Sequence, residues 1–229
     1  MFPFLFDEYY LILVVPTFFL SMWAQFKVKS TFAKYSKVPS SRKISGQAAA
    51  ALLLKSKSVL NVKIEAVGGS LTDHYDPSKK VVRLSTPVYG ETSIAAIGVA
   101  AHEAGHAIQH ALSWGPLGLR SFLVPVANFG STLGPWLAII GIIMTMPLLT
   151  NIGIIAFSGA VLFYVITLPV EFNASARAIA ILRENNVLSE QELKGVRKVL
   201  TAAALTYVAS ALTAIMSLLR LVLLSRRRR

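Results

Sequence analysis

Cysteine is absent from all 229 residues, which excludes disulfides, thiolate nucleophiles and cysteine-based zinc sites. Charge is scarce too: Asp, Glu, Lys and Arg make up 15% of the chain, against about 25% in ordinary soluble domains. Acids are the scarcer kind, 11 against 23 Lys and Arg, which leaves a formal net charge of +12. Hydrophobic residues reach 54%, above the roughly 45–50% of soluble domains. A soluble globule of this size would struggle to cover so much apolar area, so lipid is the expected solvent for part of the chain. The basic residues cluster beside hydrophobic runs, which suits lipid headgroups and topology signals and argues against nucleic acid as a partner.

Four stretches reach the roughly 20 apolar residues needed to cross a bilayer. Tyr9 to Phe26 is preceded by Asp7 and Glu8 and followed by Lys27 and Lys29, the pattern of a retained anchor and not of a cleaved signal peptide. Phe122 to Met146 carries Pro125, Asn128 and Gly134-Pro135, which predict a kinked or broken helix. Ile152 to Val170 is cleaner, and Ala202 to Leu224 carries Arg220 and runs into Arg226 to Arg229. Between the first two stretches, Ser45 to Lys57 reads as a helix. Val62 to Val67 and Val81 to Ser85 read as strands, with Asp76-Pro77-Ser78-Lys79 as a turn before the second. Ser93 to Ser113 reads as a helix ended by Gly115-Pro116. Glu171 to Arg183 forms a further helix, and Ser189-Glu190-Gln191-Glu192 is a capping box that starts the last one.

The expected fold is therefore mainly α: a multi-pass membrane protein with about four transmembrane helices and a small β element. Its expected parts are an N-terminal transmembrane anchor (1–26), a membrane-proximal catalytic region (27–116), a transmembrane helical hairpin (117–170), and a helix beginning at Glu171 followed by a C-terminal membrane helix with a basic tail (171–229).

The chemistry is carried by His102-Glu103-Ala104-Gly105-His106, an H-E-x-x-H sequence. On a helix, positions i and i+4 share a face, so two imidazoles converge on one zinc while the glutamate between them serves as base. A catalytic zinc takes a third protein ligand and leaves one position open. The metzincin class would need a glycine and a histidine three and six residues after His106, where this chain has Gln109 and Leu112. His110 shares the stripe but lies about 12 Å along the axis from His102, too far to share one ion. Past His106 there is no Asp, and the only acids are Glu171, Glu184, Glu190 and Glu192. The last three fall in polar turn and cap segments. Glu171 follows Leu168-Pro169-Val170 at the end of a span, where an uncompensated carboxylate is costly. Two spans separate His106 from Glu171, which returns both to one face of the membrane. The competing use of Glu171 is a salt bridge to Arg177.

These stretches resemble a known family. LTDHYDP at Leu71 to Pro77, VAAHEAGHAIQ at Val99 to Gln109, LPVEFNASARA at Leu168 to Ala178 and AAALTYVASAL at Ala202 to Leu212 are similar to the YugP-like neutral zinc metallopeptidases of bacterial membranes. The resemblance implies a zinc-dependent peptidase with His102 and His106 as ligands of one Zn2+ and Glu103 as catalytic residue. Glu171 resembles the third ligand of the E-x-x-A-D motif in HtpX-type and CAAX prenyl membrane proteases. Ser175 stands where those relatives carry Asp, one turn after Glu171.

The expected reaction is hydrolysis of a peptide or membrane-protein substrate. Oxyanion donors are sought among His74, Tyr75 and Arg177, with Asn173 and Ser175 as further residues able to orient the site. The strand Val81 to Ser85 is a candidate for binding substrate by strand addition. An intramembrane protease and a zinc-stabilised scaffold without activity are the competing readings. Lys27, Lys29, Lys34 and Lys37 favour a catalytic region on the cytoplasmic face.

Overall fold

The computed structural model describes residues 7–227. The chain is dominated by helices, and by contact it divides into two units. Among the described residues, one unit comprises 7–25, 118–169 and 205–227; the other comprises 26–117 and 170–204.

The first unit holds most of the apolar sequence. A π-helical turn, Tyr10–Val14, leads into α1 (Val15–Tyr35). Residues 26–35 of that helix continue past the expected end of the anchor. Helix α5 (Gly115–Ile143) contains both Pro125 and Pro135; of the kinked or broken helix expected there, it is not broken but one continuous element. Gly115-Pro116 starts α5 and does not end the helix before it: a proline in the first turn gives up an N–H that has no helical partner anyway. Helix α6 (Pro147–Glu184) likewise runs through Pro169, so the residues after Glu171 are not a separate helix. Helix α7 (Glu190–Arg227) completes the set. All four long helices are apolar enough to cross a bilayer. Phe122 is 73% exposed and Leu148 74%, as expected of surfaces solvated by hydrocarbon. The buried charge of Arg220 is compensated. Arg220 bonds Asp7 through Nε and Nη2, at 2.9 and 2.6 Å, and its guanidinium lies 5.1 Å from the centre of the Tyr10 ring.

The second unit has a conventional buried core, in which Leu53, Leu84, Ile97, Ile108 and Leu182 are among the largest fully enclosed side chains. Helix α2 (Gly46–Ser56) begins where the Ser45 side chain accepts from the Ala48 N–H at 3.2 Å. The sheet has the order β1 (Lys63–Val67), β3 (Val81–Ser85), β2 (His74–Asp76); β1 is parallel to β3 and β2 antiparallel. Two expectations are corrected here. His74 to Asp76 form a strand, because the turn that follows lets them pair with Val81 to Arg83. The strand Val81 to Ser85 is central and paired on both sides, so it has no free edge on which to add a peptide. After the short helix α3 (Thr86–Tyr89), α4 (Ile94–Ala111) starts at Ser93, whose hydroxyl accepts from the Ala96 N–H. Helix α4 packs against α2 and also touches β2 and β3. The capping box at Ser189 is formed: Glu192 accepts from the Ser189 N–H at 2.7 Å, and Ser189 Oγ accepts from the Glu192 N–H at 3.3 Å.

Candidate metal centre

Helix α4 places His102 and His106 one turn apart on one face, as its period requires. Their ring centres are 4.7 Å apart and nearly perpendicular. Against them stands Glu171, only 2% exposed. The approach is close because the residue just before His106 is glycine. A Cβ on Gly105 would meet the carbonyl oxygen of Ala174 at 2.7 Å, a separation that real side chains do not tolerate. Gly105 thus lets the segment carrying Glu171 lie directly on α4.

Three potential donor atoms converge. His102 Nε2 is 3.2 Å and His106 Nε2 3.4 Å from Glu171 Oε2, and the two nitrogens are 3.1 Å apart. Among the described residues, this is the one group of three or more His, Cys, Asp or Glu side chains whose donor atoms lie close enough to hold a metal. The spacing fits zinc: three corners of a tetrahedron with bonds of about 2.0–2.1 Å lie roughly 3.3–3.4 Å apart. The chemistry fits as well, since two imidazoles and one carboxylate are a common donor set for a zinc that keeps an open position.

Glu103 follows His102 on the helix and is 9% exposed. Burial, the largest influence on His106, disfavours its charged ring. The Glu171 hydrogen bond, the charges of Glu103 and Glu171 and the Gln109 hydrogen bond outweigh it, and the His106 pKa lies above the ordinary histidine value.

Both rings of the set point their second nitrogens at protein groups. Ser175 Oγ lies 3.1 Å from His102 Nδ1. Gln109 Oε1 lies 3.0 Å from His106 Nδ1, and Gln109 Nε2 donates to Asn173 Oδ1 at 3.0 Å. Arg177 Nε donates to the same Asn173 oxygen at 2.6 Å. Ser175, Asn173 and Arg177 are therefore gathered round the donor set. Gln109 was missed in the sequence, where it served only to exclude another class. Its signal was its position, three residues after His106 and seven after His102, on the face that carries both rings.

His74 and Tyr75 are not brought to the three donor atoms. They sit on the edge strand β2. His74 Nδ1 is 2.8 Å from the Thr72 carbonyl oxygen. The Tyr75 hydroxyl is 2.8 Å from His110 Nδ1, and this pair lines a cavity of about 530 Å³ with Lys57 and Lys80. Burial, followed by the charge of Asp76, raises the Tyr75 pKa and keeps the phenol protonated. The neighbouring acids hold the backbone: Asp73 accepts from the N–H and hydroxyl of Ser85, and Asp76 from those of Ser78 and from the Lys79 N–H.

Residues 10–226 match the family described as "Putative neutral zinc metallopeptidase". The chain belongs to this family. It is also 50% identical over 215 residues to the "Putative membrane protease YugP" of Bacillus subtilis (strain 168), an alignment covering 94% of this chain and 96% of that protein. No solved structure matches the chain.

Proposed function

We propose that the chain is a zinc-dependent endopeptidase of the membrane, in which His102, His106 and Glu171 hold one zinc ion and Glu103 is the general base. The observation that carries this reading is the convergence of three buried donor atoms at the mutual spacing of a tetrahedral site. Family membership and the four long apolar helices support it.

A zinc ion bound there would supply Lewis acidity, polarising the scissile carbonyl and lowering the pKa of the attacking water. Glu103 takes the proton from that water and delivers it to the leaving amine. His102 and His106 turn their Nε2 atoms inward because Ser175 and Gln109 occupy their Nδ1 atoms. Of the oxyanion donors considered, His74 and Tyr75 are engaged with Thr72 and His110 on the edge strand β2, away from the three donor atoms. Arg177 stands beside the donor set, bound through Nε to Asn173, and is the proposed source of that contact.

The substrate is a peptide segment of a membrane or membrane-adjacent protein. The four lysines from Lys27 to Lys37 support a catalytic unit on the cytoplasmic face. Labelling a cysteine introduced at the exposed Arg42 in intact cells tests the orientation: protection is expected, and labelling by an impermeant reagent reverses it.

Glu103→Gln in purified protein tests the function itself. Zinc is expected to remain bound while cleavage disappears. Cleavage at the wild-type rate would remove Glu103 as the base, and cleavage that persists after complete zinc removal would reduce the metal to a scaffold.

A further inference from the structure

A single buried amide links the second and third members of the donor set. Gln109 has no solvent exposure, and buried polar groups of this kind are kept only when hydrogen-bonded. Its orientation is settled from both ends. The Val170 carbonyl oxygen can only accept, so the Gln109 atom 2.9 Å from it is the donor Nε2. Arg177 Nε can only donate, so the Asn173 atom facing it is Oδ1, which accepts from Gln109 Nε2 as well. Gln109 must then turn Oε1 toward His106 Nδ1. A carbonyl oxygen accepts, so His106 carries its proton on Nδ1 and leaves the Nε2 lone pair for a metal.

The same amide holds the residue before Glu171 and the residue two after it. We infer that Gln109 is a positioning residue that fixes the His106 tautomer and seats the Glu171 turn in one step. Asn173 and Arg177 extend the chain of bonds that orients it. This rests on the zinc reading above, and it predicts coupling: the second ligand is correctly oriented only while the third ligand's turn is docked. Partners of this kind set metal affinity through ring orientation and basicity.

The experiment compares Gln109→Met and Gln109→Glu with wild type in the full purified chain. Zinc affinity is read by chelator competition, and imidazole nitrogen shifts are read in the metal-free protein in alkaline buffer. Methionine keeps the shape and removes every bond. It is expected to weaken zinc binding by about 10- to 100-fold and to shift His106 away from the Nδ1–H pattern. Glutamate still accepts from His106 but cannot donate to Val170 or Asn173 while ionised. It should keep the Nδ1–H pattern and recover only part of the affinity. Wild-type affinity in the methionine variant overturns the proposal. So does weakened affinity with an unchanged nitrogen pattern, the signature of a merely structural role. A wild-type chain that binds no zinc would sink the metal reading, while the nitrogen shifts would still judge the role of Gln109.

Discussion

Gly105 and Ala174 lie so close that a single added Cβ would stand 2.7 Å from a carbonyl oxygen. The contact falls between the two histidines of α4 and one turn after Glu171, so backbone proximity at this point sets whether the three donors meet. Gly105→Ala is expected to push the two segments apart and to cost about 1–3 kcal/mol of stability, the usual range for overpacking. Zinc content should fall with it. Thermal unfolding and metal analysis check this, and an alanine variant with wild-type values for both would contradict it.

Ser175 is the partner of the other ring. Its hydroxyl lies 3.1 Å from His102 Nδ1, at the position where the wider group of membrane proteases carries an aspartate. Ser175→Ala is expected to weaken zinc binding by about tenfold. Ser175→Asp should strengthen it, because a carboxylate raises the basicity of the ring it faces. Chelator competition distinguishes these outcomes from no change.

Tyr75→Phe removes the hydroxyl that lies 2.8 Å from His110 Nδ1, away from the three donor atoms. The kcat is expected to stay within a few-fold of wild type, with zinc content unchanged. A loss of about 10²- to 10³-fold in kcat, typical of a lost oxyanion donor, would contradict this and assign the contact to Tyr75.

Zinc affinity should fall as pH falls, because proton and metal compete for His106 Nε2. The His106 pKa is raised above the ordinary histidine value, so the decline begins at a higher pH than for a free imidazole. It should steepen toward roughly tenfold per pH unit below the raised value. The metal-free fold behaves oppositely. A raised folded-state pKa gives stability that is complete below the ordinary histidine value and is lost as pH rises through the raised one. Zinc titrations and metal-free thermal melts across that range test both signs.

The long helices were legible because crossing a bilayer demands a length and an apolar content that few other roles need. Helix α4 and its histidine pair were legible from spacing alone, and the Ser189 capping box from its residue types. Of the kink or break expected at Pro125 and Pro135, the break is absent, since α5 runs through both, and the helix read from Glu171 is the continuation of α6 through Pro169. Strand β2 was hidden because the residues that pair, His74 to Asp76, run straight into a strong turn sequence. The Glu171 site was reached by elimination among few acids. Its supporting amide, Gln109, was not: its place on the histidine face was visible, but its bonds to Val170 and Asn173, far off in the sequence, leave no trace in the spacing.

The most direct test of the account is the zinc stoichiometry of purified wild type beside Glu171→Ala, measured at limiting free zinc. The account predicts one ion per wild-type chain and a marked loss in the variant. One ion per chain in both, held with equal affinity, would contradict it.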